Sequence, residues 1–291
     1  MDVTTFLISV FCMIDDWLKD RPIRQRGPKP RLADSEVLTM EVIGEFLGID
    51  TDVGLFTFFR RYYGDWFPAL RQVDRTTFTR QAANLWVIKE QLFEYLSPMV
   101  PHDPLISIVD SFPMPVCRFA RANRCRIFAG QAAFGYDEVA RQTYYGLRAH
   151  VRICWPGVIV ASTLAPANVH DTEAADELLE GAQGWMLGDR NYWKPEWQAV
   201  LKQQGLDLLA PYKSAKRQKF RYPHWLTEKR YRIETVFGQI VERYHAKKVW
   251  ARDAWHLTSR WLRKLVSHLI AVLFCQRLGL SPLRFSELLI D

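Results

Sequence analysis

The spacing of apolar residues divides this chain into two parts. Up to about residue 100 they recur every three or four positions, the period of helices with one buried face. The first such run covers 4–18, and Ser35 can cap a second that reaches about Leu47, with Gly48 as its stop. An aromatic-rich third run covers 55–63, and a fourth extends from a cap at Thr76 or Thr77 to about Leu96. Between the first two, KDRPIRQRGPKPR sets three prolines and a glycine among its cations and reads as a loop or arm. No strand pattern occurs in this region. Its short helices with exposed arginines fit either a helix-turn-helix variant or an ordinary helical cap.

After Pro101 and Pro104 the period changes. LISIVD is nearly continuous in apolar residues, as a strand covered on both faces should be, and it ends on Asp110. An irregular basic stretch follows up to Gln142. YYGLRAHVRICW and GVIVASTL then form two β-rich runs about Pro156-Gly157, which predicts a hairpin. NVHDTEAADELLEG opens a helix with Asp171 as its N-cap, beside His170, whose residue type fits a structural hydrogen-bonder better than a ligand. GWMLGD is a short strand ending on Asp189, Pro195 suits the first turn of the next helix, and LDLLAP is another strand. In EKRYRIETVFGQIVERY the apolar stripe Ile233, Val236, Phe237, Ile240, Val241 and Tyr244 marks a helix with Glu234 at its edge and Arg230 one turn earlier. A last helix, 256–278, is apolar over a wide arc and must pack against something large. Three consecutive strands followed by alternating helices and strands predict a mixed α/β sheet with helices on its faces, preceded by an all-α region.

Asp110 and Asp189 each close a predicted strand. If those strands are parallel neighbours, both carboxylates emerge at one sheet edge, where α/β folds build sites, and Glu234 can join them from a packed helix. Converging carboxylates repel unless their pKa values rise or a hard cation binds. All-oxygen ligands of this kind suit Mg²⁺ or Mn²⁺, and two such ions can serve an in-line displacement at phosphorus.

Charge supports a polyanionic partner. The net charge is +7, and the excess is clustered: six cations within 19–31, four within 118–126 and five within 213–221. Arg118, Arg121, Arg124, Lys213, Lys216, Arg217, Arg243 and Lys247 are the candidates for backbone phosphates. Trp185 and Trp193 read as core residues, and Trp225, in the basic loop, as a candidate for stacking on a base. Five cysteines without CxxC spacing read as reduced thiols in a cytoplasmic protein. The two longest apolar runs fall short of the about 20 residues that a membrane span needs.

SIVDSFP, LGDRNY and KRYRIETVFGQI resemble the three catalytic blocks of bacterial insertion-sequence transposases of the DDE type. The resemblance covers roughly 105–278 and implies an RNase H-like catalytic domain over 101–280, after a helical, DNA-contacting region at 1–100 and before a tail at 281–291. It further implies that Asp110, Asp189 and Glu234 bind two divalent ions, and that Arg230 matches an arginine often found in the third block. NVHD looks like a family feature too. The partners implied are double-stranded DNA, as inverted-repeat ends and as target, and a second copy of the chain when assembled on DNA. Some relatives have a tyrosine where this chain has Thr227 and a lysine where it has Val241, so Arg243 or Lys247 would take over their phosphate contacts. Only 44 residues separate Asp189 from Glu234, which leaves no room for the β-rich insertion that other relatives carry. The rival readings are a nuclease on the same fold without strand transfer and a DNA-binding regulator descended from such an enzyme.

Overall fold

A computed structural model describes residues 1–21, 23, 28–211, 224–249 and 251–289, without the side chain of Thr227. In chain order, helices α1 (Val3–Leu18), α2 (Asp34–Phe46), α3 (Asp52–Tyr62), α4 (Arg75–Asn84) and α5 (Trp86–Leu96) come first. Strands β1 (Asp103–Pro115), β2 (Ala133–Asp137), β3 (Gln142–Trp155) and β4 (Val158–Pro166) follow. The remainder is α6 (Asp171–Ala174), β5 (Gly184–Leu187), α7 (Pro195–Gln203), β6 (Leu206–Leu209), α8 (His224–Gly238) and α9 (Ala254–Arg277). These elements form two compact units, one of Met1–Met99, Glu242–Ala246 and Arg252–Asp291, the other of Val100–Val241 and Lys247–Ala251. Among the described residues no helix is long and apolar enough to cross a membrane.

In the helical unit, local chemistry sets the helix ends. Asp2 accepts from the Thr5 N–H (2.8 Å) at the start of α1, and Thr51 accepts from the Gly54 N–H (3.0 Å) at the start of α3. α2 starts without its expected Ser35 cap: the Glu36 carboxylate reaches back to the Ala33 N–H (2.7 Å). Gly48, at φ +79°, ends that helix in the left-handed conformation that glycine adopts freely. The expected single helix up to Leu96 is two. The break falls at Leu85, whose backbone (φ −83°, ψ 13°) leaves the helical range, and Thr76 and Thr77 lie inside the first turn of α4 rather than capping it.

Every residue of α9 from Trp261 to Cys275 is buried, with α2, α4 and α5 as its main neighbours. A helix sheathed on all sides is what its wide apolar arc requires. The large body it packs against is the helical unit. The compact units group this helix with the N-terminal helices.

The sheet unit is ordered β2-β3-β1-β5-β6, with β4 also paired to β3. β3 runs antiparallel to β1 on one side, and it meets β2 over Gln142–Gly146 and β4 over Leu147–Cys154. β1 and β5, then β5 and β6, pair in parallel. The stretch expected to be irregular up to Gln142 therefore contains the end of β1 and all of β2. β1 outruns its expected length because β3 continues to pair with it as far as Pro115. The Val109 face packs with Met186, Leu208, Leu178, Leu201 and Tyr192 into one core. On the opposite face of β1, the ring of Phe112 meets Phe237 of α8 edge-on at 5.0 Å.

Candidate active site

Parallel pairing sets Ile106 opposite Trp185, Ser107 opposite Met186 and Ile108 opposite Leu187. Continuing that register by two residues brings Asp110 level with Asp189. Asp110 does not close its strand, contrary to the sequence expectation. It lies mid-strand at the step where β5 has ended and β1 continues with β3 alone. Strand alternation puts Asp110 on the face of Ile108 and Phe112, the side covered by α8. Gly188 allows the LGDRNY turn to close tightly, since a Cβ there would come within 2.9 Å of the Tyr192 Cβ. The Asp189 carboxylate then accepts from the Asn191 N–H at 2.8 Å.

Burial, with the charges of Asp189 and Asp171, pushes the Asp110 carboxyl up to about 7, against the Ser111 N–H and Arg230, which favour its ionised form. Asp189 is also raised, by burial first and by Asp171, with the Asn191 N–H and Arg230 opposing. Arg230 thus acts on both aspartates.

Asp171 is the residue that sequence reasoning placed wrongly. The short helix α6 is capped instead by His170, whose Nδ1 accepts from the Thr172 N–H (3.3 Å), while Asp171 is its first helical residue and is buried. The Asp171 carboxylate accepts from the Ser111 hydroxyl at 3.0 Å and from Arg148 Nη1 at 3.2 Å, with His150 Nδ1 at 3.6 Å. Ser111 ties the group together: its N–H donates to Asp110 Oδ1 (2.8 Å) and its hydroxyl to Asp171. His150 is fully buried, neither ring nitrogen has a hydrogen-bond partner among the described residues, and burial pulls its pKa down to about 4. Beneath them the buried Tyr192 phenol is pushed far above its usual range by burial and by Asp171, Asp110 and Asp189. The available signal for Asp171 was the NVHD block, in which a helix cap gave a sufficient local explanation.

The other expected residues divide. Glu234 is exposed on α8, and among the described residues no group of three or more His, Cys, Asp or Glu side chains is disposed to hold a metal ion. Two of the three expected carboxylates are therefore brought together, in the company of Asp171, and the third faces solvent. Arg118, Arg121 and Arg124 are exposed around a 3₁₀ turn, Phe119–Arg124. Arg243 donates from Nε to the Phe46 carbonyl (3.1 Å) and lies over that ring, and Lys247 pairs with Asp137 at 3.1 Å, so both have structural partners. Lys213, Lys216 and Arg217 lie outside the described residues. Trp193 packs against the core as expected, whereas Trp185 is exposed and meets Trp225 at 5.4 Å. The two tryptophans border a cavity of about 600 Å³ with Gln198, Lys202 and Leu208.

The family model described as "Transposase DDE domain" matches residues 102–249, half of the chain. No curated protein and no solved structure matches it.

Proposed function

Because the chain belongs to the transposase DDE domain family, we propose that it is a bacterial insertion-sequence transposase that cuts and joins DNA at the ends of its element. The observation that carries this reading is the Asp110–Asp189 pair, set level by parallel strands and with both carboxyls raised. The antiparallel set β1 to β4, followed by β5 and β6 parallel to β1, supports an RNase H-like frame.

The donor set fits a hard divalent cation. Its atoms are all carboxylate oxygens, and for Asp110 and Asp189 burial, with neighbouring carboxylates, raises the pKa, which a bound cation would offset. Asp110, Asp189 and Glu234 would hold Mg²⁺ or Mn²⁺, in two sites, and bound ions would supply Lewis-acid activation at phosphorus. Support for Glu234 comes from its neighbours on α8: Arg230, one turn before it, acts on both aspartates, and Phe237, three residues after it, packs on Phe112.

The protein's own groups have distinct tasks in this reading. Arg230 orients a phosphate oxygen between the two aspartates. Ser111 and Asn191 fix the rotamers of Asp110 and Asp189 through backbone N–H donors. Arg148 holds Asp171, which accepts from the Ser111 hydroxyl and so steadies the residue that donates to Asp110. Water attacks the end phosphodiester, and the freed 3′-OH then attacks a target strand. Arg118, Arg121 and Arg124 contact the DNA backbone, residues 1 to about 100 contribute to end recognition, and the chain acts as a dimer on DNA in the cytoplasm.

The test uses DNA that includes the sequences flanking the coding region, with a labelled 3′-OH end for joining. Asp110→Ala, Asp189→Ala and Glu234→Ala should each lower cleavage by about 10³-fold or more, as several kcal/mol of transition-state stabilisation is removed. DNA binding should persist. Undiminished cleavage by the Glu234→Ala protein would remove Glu234 from the site, and cleavage without joining would leave a nuclease.

A further inference from the structure

The helical unit contains a cationic cleft that the residues considered so far do not include. Its cavity, about 660 Å³, is lined by Arg75, Thr76, Thr79, Arg80, Arg252 and His256. Among the described residues that line it none is acidic. Arg75, Arg80 and Arg252 are exposed, and none of the three makes an ion pair among the described residues. This contrasts with Arg260 and Arg263, a few residues further on, which are consumed in salt bridges.

Local geometry turns these side chains toward one ligand chemistry. Arg75, Thr76, Thr79 and Arg80 occupy the first two turns of α4, and Asp74, its N-cap residue, makes no capping bond with its side chain. The first N–H groups of this ten-residue helix are therefore left to another acceptor. Arg252 and His256 are one turn apart at the approach to α9, where Asp253 caps the helix by accepting from the His256 N–H at 2.8 Å. Trp255 donates from Nε1 to the Ala83 carbonyl at 2.6 Å, which fastens this segment to α4. Guanidiniums, hydroxyls and free helix N–H groups are the donors that proteins direct at nucleic-acid phosphates. A single phosphate would fill only part of the cavity, and the cations are strung along two elements instead of closing round a point.

We propose that this cleft grips the sugar-phosphate backbone of duplex DNA and positions it without reading sequence. The proposal rests on the reading of the chain as a DNA-binding transposase and adds a contact surface on the helical unit, part of it from the C-terminal helix.

The test measures binding of the full chain to fluorescent duplexes of unrelated sequence over a salt series. In the Arg75→Ala/Arg80→Ala/Arg252→Ala variant the slope of log K against log salt should become shallower by about 2–3, since each lost phosphate contact contributes about 0.9. Affinity should fall equally for all duplexes, and circular dichroism should match the wild type because all three side chains are exposed. The Arg→Lys triple variant should restore most of the slope. A wild type that binds DNA alongside an Ala variant with unchanged slope and affinity would overturn the cleft while the transposase reading stands. A wild type that fails to bind duplex even at low salt would overturn that reading, and the cleft with it. Competition by millimolar inorganic phosphate without any change of slope in the Ala variant would make the cleft a small-anion site and also overturn the proposal.

Discussion

In the helical unit, α9 carries Arg260, Arg263 and Lys264 toward Glu45 and Asp52, and Lys89 of α5 meets Glu41 at 2.7 Å. Arg263 alone donates to Glu45 (2.5 Å), to Asp52 (2.7 Å) and to the Asp50 carbonyl. In the sheet unit, Asp110, Asp189 and Asp171 share Arg148 and Arg230 among the described residues. The first group is buried and the second half-buried, with only Asp171 fully enclosed, yet among the described residues the first has a cation for each acid and the second does not. The pKa directions follow this difference. Burial pushes the Asp52 carboxyl up, but Arg263 and Arg260 override it and hold the group at about 2, whereas Asp110 stands at about 7. Buried charge with matched partners fixes where helices sit. Buried charge without them is costly to maintain and points to a ligand.

The largest expected effect lies in the matched network. Arg263→Ala would leave Glu45 and Asp52 buried with fewer counter-charges, and removing one partner of such a pair costs about 3–5 kcal/mol. Urea unfolding of the full chain should show that loss in the transition of the helical unit. A loss of under about 1 kcal/mol would mean that the network is not what holds α9 in place.

A smaller effect should appear with pH. The Asp52 carboxyl is depressed from its ordinary 3.8 to about 2 in the folded state. Its contribution is therefore fully present above about pH 4 and is lost as pH falls toward 2, because the unfolded chain takes up the proton first. The amount is about 2 kcal/mol, from the shift in proton affinity. Unfolding free energies of wild type and Asp52→Asn should thus converge as the pH is lowered through that window. A constant gap across it would assign the low pKa to another group.

How much of this was legible in the sequence follows from which interactions are local. Strand-forming runs, the Pro156-Gly157 hairpin and the carriers of the Asp110 and Asp189 blocks come from short-range patterning, and the structure retains them. The full length of β1 was not legible, because it depends on pairing with β3 some forty positions away. The destination of α9 was not legible either, since an apolar arc records that a helix is buried but not by what. Asp171 was misread for the same reason. A helix cap accounts for an aspartate within four residues, whereas its partners Ser111 and Arg148 lie 60 and 23 positions off. The cationic cleft escaped because Arg75, Arg80 and Arg252 belong to no dense run of charge in the sequence.

The smallest effect, and the one of opposite sign, concerns the unmatched group. Asp110→Asn keeps the shape of the side chain and leaves an oxygen to accept from the Ser111 N–H, the bond of 2.8 Å that orients the native carboxylate. What it removes is a negative charge repelled by Asp189 and Asp171. In the presence of a chelator the variant should therefore be as stable as the wild type or more so, by about 1 kcal/mol, the scale of one unit of proton affinity. Added Mg²⁺ should raise the melting temperature of the wild type, because a ligand that binds only the folded chain stabilises it by mass action. It should leave the variant nearly unmoved, since an amide is a poor ligand for a hard cation. Thermal unfolding with and without Mg²⁺ measures both effects. A chelated variant weakened by about 3 kcal/mol or more would place Asp110 in the same class as Arg263, a group held for structure, and the difference between the two units would disappear.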